Sequence, residues 1–409
     1  MEVVVERCCG LDLHKKTVVA CLRTPEGEQV RRFGTMTREL LRLLEWLQRE
    51  RVRVLAMEST GSYWKPVYNL LEGQGMELML VNPAHMKAVP GRKTDVKDAQ
   101  WIADLLRHGL LTASRVPERP QRELQEAMRY RQRLIEDRAD EVRRLQKVLE
   151  GGNIKLGDVA TDVLGKSGRM MLEQLASGET DSDQMAGLAQ GKLRTKRASL
   201  SLALEGSVGP HQRFMLKRLL EHIEFLEGEI DAVSQEIEAR MRPFEPVFAR
   251  LEQIPGIGRR NAQRILAEIG LDMRYWRNDK AFASWAKLCP GNNESAGTRR
   301  SSWIGAGNQF LRGALVEAAQ AAARAKDSYF SALYHRLKAK RGAKRALIAV
   351  AHAILVTIYH LLKDGTYYQD LGADHFDRRD REALVRRNVR RLELLGYHVS
   401  LSPRCMTAA

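Results

Sequence analysis

The first 115 residues alternate short apolar runs with amphipathic stretches. Runs rich in Val, Leu and Cys predict strands at residues 3–13, 17–22, 30–33, 52–57 and 77–81. Apolar residues at helical spacing predict helices at residues 39–48, 64–72 and 95–107. Because strands alternate with helices along the chain, we expect an α/β domain over residues 1–115.

From residue 116 to residue 245 the pattern becomes helical and highly charged, with apolar residues every seven positions in two arms. These positions are Met128, Ile135, Val142 and Leu149 in the first arm, and Leu216, Ile223, Ile230 and Ile237 in the second. A second seam position, at Leu219, Leu226 and Val233, is typical of a coiled coil. Residues 151–209, rich in Gly and Ser, predict a connector with short helices. The arms therefore predict a long helical hairpin or a dimerisation stalk, and a bundle packed within its own chain is the alternative.

The remaining chain predicts a second compact domain and a basic tail. Residues 246–370 are mostly helical in pattern and contain one long apolar run, residues 346–362. Because this run includes His352, Thr357 and His360, it predicts a buried helix of a protein core and not a membrane span. Residues 371–409 form the tail. Within it, residues 377–395 carry seven arginines between apolar positions, which is typical of a basic amphipathic helix. This helix either docks on the domain with a solvated face or contacts nucleic acid.

Charge and cysteine usage narrow the classes of function. The chain has 409 residues, with 67 Lys and Arg against 51 Asp and Glu, a net charge of +16. Such a surplus favours nucleic acid as the partner over an anionic membrane surface, and we expect no membrane span. The five cysteines are scattered without a C-x-x-C pair, so neither a disulfide framework nor a zinc site is expected. A reducing cytoplasm, beside the nucleoid during action, is the expected compartment.

Four carboxylates fall at positions suited to a metal site. Asp12 and Glu58 follow buried apolar runs, and Asp95 and Asp98 lie three residues apart at the start of a predicted helix. Phosphodiester cleavage uses divalent ions held by carboxylate oxygens, and strand ends can bring such oxygens together. Each residue alone is more often a loop or capping residue.

A glycine turn in the second domain predicts contact with a nucleic-acid backbone. Gly256 and Gly258 lie between an Ile-Pro pair and an apolar helix, in the form of a helix-hairpin-helix. The backbone amides of such a turn can approach a phosphate, with Arg259 and Arg260 beside them. The alternative is a turn that only changes the direction of the chain.

Three segments in the first domain resemble the acidic motifs of the DEDD transposases, which are insertion-sequence recombinases. The segments are Gly10-Leu11-Asp12-Leu13-His14-Lys15-Lys16, Met57-Glu58-Ser59-Thr60-Gly61 and Lys93-Thr94-Asp95-Val96-Lys97-Asp98-Ala99. The resemblance implies a RuvC-like domain with the ribonuclease-H fold. It also implies that Asp12, Glu58, Asp95 and Asp98 are catalytic and bind Mg²⁺ or Mn²⁺, with Lys15, Lys16 and Lys93 on nucleic acid. No general base is nominated, and His14 is read as a turn residue.

The second domain resembles the serine-bearing transposase domain of the same family. Ser295-Ala296-Gly297 and Gly307-Asn308-Gln309-Phe310-Leu311-Arg312 carry this likeness. The resemblance assigns the nucleophile to Ser295, with Ser301 and Ser302 as competitors, and nucleic-acid contacts to Arg299, Arg300 and Arg312. It further implies DNA as substrate, a structured guide RNA encoded in the element, and a homodimer or homotetramer. The alternatives are a metal-dependent Holliday-junction nuclease and a non-catalytic nucleic-acid-binding protein.

Overall fold

The structure, a computed structural model, divides the chain into two compact units at Arg119. It describes residues 2–59, 61–82, 95–289, 294–295, 298–299, 305, 307–379 and 381–401. Within these residues, the first unit holds one six-stranded sheet and three helices. The described part of the second unit is helical apart from one short β-hairpin.

The sheet of the first unit has the strand order β3-β2-β1-β4-β5-β6. Its strands are β1 Cys8–Leu13, β2 Thr17–Thr24, β3 Gly27–Gly34, β4 Val54–Glu58, β5 Glu77–Val81 and β6 Ala113–Ser114. β1, β4 and β5 run parallel, whereas β2, β3 and β6 pair antiparallel with their neighbours. The α/β domain expected from the alternating pattern is therefore confirmed, and the parallel strands form the centre of its sheet.

Helices cover both faces of this sheet. Helices α1 (Thr37–Arg49) and α2 (Trp64–Leu71) bury leucines such as Leu43 and Leu71 against one face. Helix α3 (Asp95–Arg107) places Ile102 and Leu106 against the other. With both faces covered, β1 is fully buried along its length, which is the usual state of a central parallel strand.

Two long helices form an antiparallel hairpin in the second unit. They are α4 (Arg119–Gly151) and α9 (Pro210–Met241), and Arg138 of α4 donates to Glu227 of α9 at 2.6 Å, while Arg240 of α9 reaches Glu123 of α4 at 3.3 Å. Four short helices lie between them in the chain: α5 Leu156–Val159, α6 Lys166–Ser177, α7 Ser182–Gly187 and α8 Arg197–Leu204. The seam residues Leu216, Leu219 and Ile223 are buried in one core with these helices. The heptad seam is thus covered largely by the chain itself, as in the alternative of an intramolecular bundle.

The helices between residues 245 and 364 build a second core around α15. They are α10 Glu245–Leu251, α11 Arg259–Ile269, α12 Asp279–Trp285, α13 Gln309–Ala322, α14 Tyr329–Arg341 and α15 Ala343–Asp364, with the hairpin β7 (Glu294–Ser295) and β8 (Thr298–Arg299) between α12 and α13. By length and composition, α15 is the one described helix that could cross a membrane. Its residues Val350, Ile354 and Ile358 are fully buried in the core with α11 and α13, as expected of a core helix.

The chain continues into α16 (His375–Arg379) and α17 (Arg381–Leu394). The described side chains of α17 are exposed except for a half-buried Val389. No described side chain of this basic helix is therefore fully buried, and docking on the domain and contact with nucleic acid both stay predictions.

Candidate active site

Asp12 and Glu58 lie side by side at one edge of the parallel core. β1 and β4 pair in register from Cys8 with Val54 to Leu11 with Met57, and the next step in this register places Asp12 beside Glu58. Asp12 is 6% exposed and Glu58 is half-buried. Because neighbouring parallel strands in register point their side chains to the same face, the two carboxylates share one face of the sheet.

Helix α3 covers this same face and runs antiparallel to β1. At its carboxyl end, Arg107 O accepts hydrogen bonds from the N–H groups of Val4 and Val5 at 2.9 and 3.1 Å. At its amino end it meets Gly10, where a Cβ would lie 2.4 Å from Ala99 O and 2.5 Å from Ala103 N. The missing side chain of Gly10 therefore lets α3 lie directly on β1. This direction brings Asp98, which precedes Ala99, to the end of the sheet that carries Asp12.

His14 contacts Asp12, a contact that sequence reasoning missed. His14 Nε2 lies 2.9 Å from Asp12 Oδ2, and the His14 backbone N–H donates to Thr17 O at 2.9 Å in the turn between β1 and β2. An ionised carboxylate only accepts hydrogen bonds, so this geometry requires the proton on Nε2. The Asp-x-His spacing at a strand end was the available signal. His14 orients Asp12, and the exposed Lys15 and Lys16 follow in the same turn.

The donor chemistry of this edge suits a hard divalent cation. Asp12, Glu58 and Asp98 offer carboxylate oxygens, the ligands that Mg²⁺ and Mn²⁺ prefer. The side chain of Asp95 is not described. Among the described side chains, no three or more His, Cys, Asp or Glu residues lie close enough together to hold a metal ion. Asp95 opens α3, while Lys93 lies outside the described residues. The structure thus places three of the four predicted ligands at one end of the sheet.

In the second unit, the glycine turn has an intramolecular role at Gly256. This residue has φ +90°, and a Cβ there would lie 2.2 Å from Ala318 O and 2.7 Å from Ala322 N of α13. Gly258 instead precedes α11 with open space beside it. The turn therefore needs glycine at Gly256 for packing against α13, whatever its part in binding a phosphate.

Arg259 and Arg260 differ in their surroundings. Arg259 donates to Glu245 at 2.9 Å and to Glu238 at 3.0 Å, lies 3.8 Å from Glu252, and stacks its guanidinium 4.2 Å from the centre of the Phe248 ring. Arg260 is exposed. The charge of Arg259 is matched within the chain, so Arg260 is the residue of this pair that faces solvent.

The predicted nucleophile lies in the hairpin of β7 and β8. Ser295 pairs with Thr298, and Glu294 pairs with Arg299. Arg300, Ser301 and Ser302 lie outside the described residues, and the side chains of Ser295 and Arg299 are not described. The hairpin places Ser295 in a defined backbone setting between α12 and α13.

A buried carboxylate anchors the chain where it leaves this loop. Glu268, 3% exposed, accepts two hydrogen bonds from Arg129 at 2.9 and 2.8 Å and one from Asn308 at 2.6 Å. Asn308 also caps α13 by accepting from the N–H groups of Phe310 and Leu311. Arg312 donates to Gly305 O at 2.7 Å. The segment from Gly307 to Arg312 is therefore held against α4 and α11 at the start of α13. The position of Glu268 in the sequence did not reveal these contacts.

Two family models match the chain. A DEDD transposase model of the IS110 type, described as "Transposase", matches residues 9–154. A second, described as "Transposase IS116/IS110/IS902 family", matches residues 248–335. No curated protein matches the chain. The first match contains the carboxylate edge of the sheet, and the second contains the turn at Gly256 and the hairpin of Ser295. The chain therefore belongs to the IS110 family of insertion-sequence transposases, which are enzymes that act on DNA.

Proposed function

We propose that the protein cuts and rejoins DNA strands with a metal site built from Asp12, Glu58, Asp95 and Asp98. The observation that carries this proposal is the register of β1 with β4, together with the close approach of α3 at Gly10. A sheet with three antiparallel strands leading into parallel ones, and carboxylates at the central strand ends, supports a RuvC-like domain of the ribonuclease-H fold. Bound Mg²⁺ or Mn²⁺ would stabilise negative charge on the reacting phosphate. His14 holds Asp12 in place, and burial of Asp12 keeps its carboxylate oriented.

Ser295 is the nucleophile in this proposal. Its Oγ attacks a DNA phosphorus, so that an Oγ–P bond forms, a P–O bond to the sugar breaks, and the leaving oxygen takes up a proton. Attack by a sugar hydroxyl on the phosphoserine then releases Ser295 and joins a new strand without loss of the ester. The pairing of Ser295 with Thr298, in a hairpin that precedes the anchored Asn308 in the chain, supports this role. Ser301 and Ser302 are the competing positions.

Basic residues at both sites would contact the nucleic-acid backbone. Lys15 and Lys16 are exposed directly after Asp12, and Arg260 is exposed at the start of α11. Burial lowers the pKa of Arg131, and the neighbouring charges of Arg260 and Arg264 lower it further. A phosphate would relieve this repulsion. We extend the same role to Lys93, Arg299, Arg300, Arg312, Gly256 and Gly258, and rank Arg259 below them because glutamates already hold it.

The resemblance supports further parts of the proposal. We propose a structured guide RNA, a homodimer or homotetramer, and four segments at residues 1–115, 116–245, 246–370 and 371–409. Action on DNA implies a cytoplasmic location. If a second copy binds through the helical hairpin, it uses faces other than the buried seam at Leu216 and Ile223.

The test uses the full-length protein with its copurified RNA and a plasmid carrying the noncoding DNA that flanks its gene. We expect a covalent protein–DNA adduct on a denaturing gel, lost in Ser295→Ala and retained in Ser301→Ala and Ser302→Ala. Asp12→Asn should abolish cleavage, whereas Asp137→Asn, on an exposed part of α4, should not. Cleavage that survives Ser295→Ala without an adduct would indicate a nuclease that uses only the carboxylates.

A further inference from the structure

The second unit contains an aromatic cavity that no part of the proposed chemistry uses. Its volume is about 490 Å³, within the range of small-molecule sites. Helices α12, α14 and α15 and the segment after α15 form its walls. Four of its thirteen lining residues are Phe or Tyr, although aromatic residues make up 6% of the chain. This concentration of rings sets the cavity apart from an ordinary gap between helices.

The aromatic walls are held in place by Asp370. Its Oδ1 accepts hydrogen bonds from the backbone N–H groups of Tyr329 and Gly372, each at 2.8 Å, and its Oδ2 accepts from the Tyr368 hydroxyl at 2.9 Å. The Tyr368 ring stacks on Phe330, with ring centres 5.9 Å apart and planes 13° apart. The segment after α15, which we call the strap (residues 367–371), is thereby bound to the start of α14. The cavity is built before any ligand arrives, which limits the ordering cost of binding.

Polar groups lie among the rings. His352 and Thr357 of α15 and Asp279 of α12 line the cavity, and Gln369 lies on the strap. His352 is half-buried, and burial lowers its pKa while the charge of Asp279 acts in the opposite direction. An imidazole offers one donor and one acceptor when neutral, and a carboxylate accepts from amino and imino groups. This combination of stacking surfaces with a few donors and acceptors matches the edge of a nucleobase.

Cations stand beside the aromatic cluster. The guanidinium of Arg336 lies 4.9 Å from the centre of the Phe376 ring, which stacks on Tyr329 at 5.3 Å. Lys363 Nζ lies 5.4 Å from the centre of the Tyr359 ring, near the carboxyl end of α15, where His360 and Leu361 line the cavity. The basic helices α16 and α17 follow in the chain. Positive charge next to stacking rings is the arrangement by which proteins hold single strands.

We propose that this cavity binds one nucleobase that has left the stack of a DNA or RNA strand. The base would stack against the tyrosines and present its hydrogen-bonding edge to His352 and Asp279, with the flanking phosphates towards Lys363 and Arg336. The proposal rests on the proposed function only in taking nucleic acid as the partner. It adds a site built from residues other than the carboxylates and Ser295, and one that binds unpaired rather than paired strands.

Photo-crosslinking tests occupancy directly. The full-length protein is irradiated with short single strands of DNA or RNA that carry 5-iodouracil, and the attached peptides are mapped by mass spectrometry. We expect attachment to peptides that contain Tyr329, Tyr367 or Tyr368. Attachment by DNA alone or RNA alone identifies the strand that supplies the base. If no strand of either kind attaches to these peptides, the proposal is overturned.

Affinity measurements with Tyr367→Ala give the second test. Tyr367 is 64% exposed, so its removal should leave the fold intact. Loss of one stacking partner should weaken binding of the single strand by about 5- to 150-fold. An abasic analogue at the crosslinked position should weaken binding to the unaltered protein by a similar factor, and Tyr367→Ala should then add little. Tyr130→Ala, which removes a tyrosine 52% exposed on α4, is the matched control and should change nothing.

These outcomes separate this proposal from the chemistry proposed above. Asp12→Asn and Ser295→Ala should retain the crosslink to the cavity while strand transfer is lost. Equal affinity of Tyr367→Ala and the unaltered protein for every strand would overturn the nucleobase site and leave the transposase chemistry untouched.

Discussion

Substitution of Gly10 by alanine tests whether the depth of α3 on β1 sets the carboxylate site. Gly10 lies two residues before Asp12 on the strand, and its missing side chain is where α3 makes its closest approach. The added methyl group would meet backbone atoms of Ala99 and Ala103, not the flexible end of a side chain. The helix or the strand must therefore move as a whole.

The size of this movement follows from the contact distances. The new Cβ would lie 2.4 Å from Ala99 O, whereas ordinary contacts of a Cβ begin at 3.4 Å. Helix α3 must therefore withdraw by about 1 Å, which carries Asp98 away from Asp12 by a similar amount. Overpacking of this kind costs about 1–3 kcal/mol of stability. Misplacement of reacting groups by about 1 Å costs roughly 10²-fold in rate.

The assay combines strand cleavage with hydrogen–deuterium exchange. In Gly10→Ala we expect cleavage to fall about 10²-fold, with faster exchange in the peptides of β1 and α3. Gly228→Ala is the control, since it adds the same methyl group to α9 where no atom beyond the adjacent backbone of that helix lies within 4 Å. This control should keep full activity, with a stability gain of about 0.5–1 kcal/mol from the helix. Unchanged cleavage and unchanged exchange in Gly10→Ala would refute the link between helix depth and the metal site.

Three further predictions follow from described contacts. Arg259→Ala should lower the melting temperature, by an amount equivalent to about 1 kcal/mol of unfolding free energy, and should leave the salt dependence of DNA binding unchanged. Arg260→Ala should leave the melting temperature unchanged and should reduce the slope of log affinity against log salt concentration by about one. Asn308→Ala should destabilise the protein by about 2 kcal/mol in thermal unfolding, because the α13 cap and a hydrogen bond to a buried carboxylate are lost together. Burial raises the pKa of Cys8 to about 11 and that of Cys21 to about 12. At about pH 8, well below these pKa values, both thiols are protonated, so iodoacetamide should label them only after unfolding. Rapid labelling of Cys8 or Cys21 in the folded protein, located by mass spectrometry, would contradict their burial.

The strand ends that carry Asp12 and Glu58 were predictable because each follows a buried apolar run. A run that must be buried on both faces leaves a clear mark in the sequence. The edge strands were less clear. β3 extends over Gly27–Gly34 with side chains exposed up to Arg32, where the pattern predicted only residues 30–33. The first strand begins at Cys8 and not at residue 3, since Val4 and Val5 donate instead to Arg107.

Contacts between distant parts of the chain set the limits of sequence reasoning. The heptads of the second arm show that Leu216 and Ile223 are buried, but they do not show whether the same chain or a second one covers them. Arg259 reads as a free cation until the fold brings in Glu238 and Glu245, which lie 21 and 14 residues away. Glu268 reads as one charge on an amphipathic helix, although it is a buried anchor. In each case the apolar pattern predicts burial, while the partner depends on packing.

The position of α4 determines where the chain can be divided. The first family match ends at residue 154, beyond this helix, whereas the first compact unit ends at Arg119. Leu124 and Met128 lie in one core of the second unit, and Leu145 and Leu149 lie in another. A fragment that ends at residue 154 would expose all four and should aggregate, whereas one that ends at Arg119 should remain soluble. The segment matched by the family model and the compact unit therefore end at different residues. The isolated carboxylate domain should be expressed with its end at Arg119.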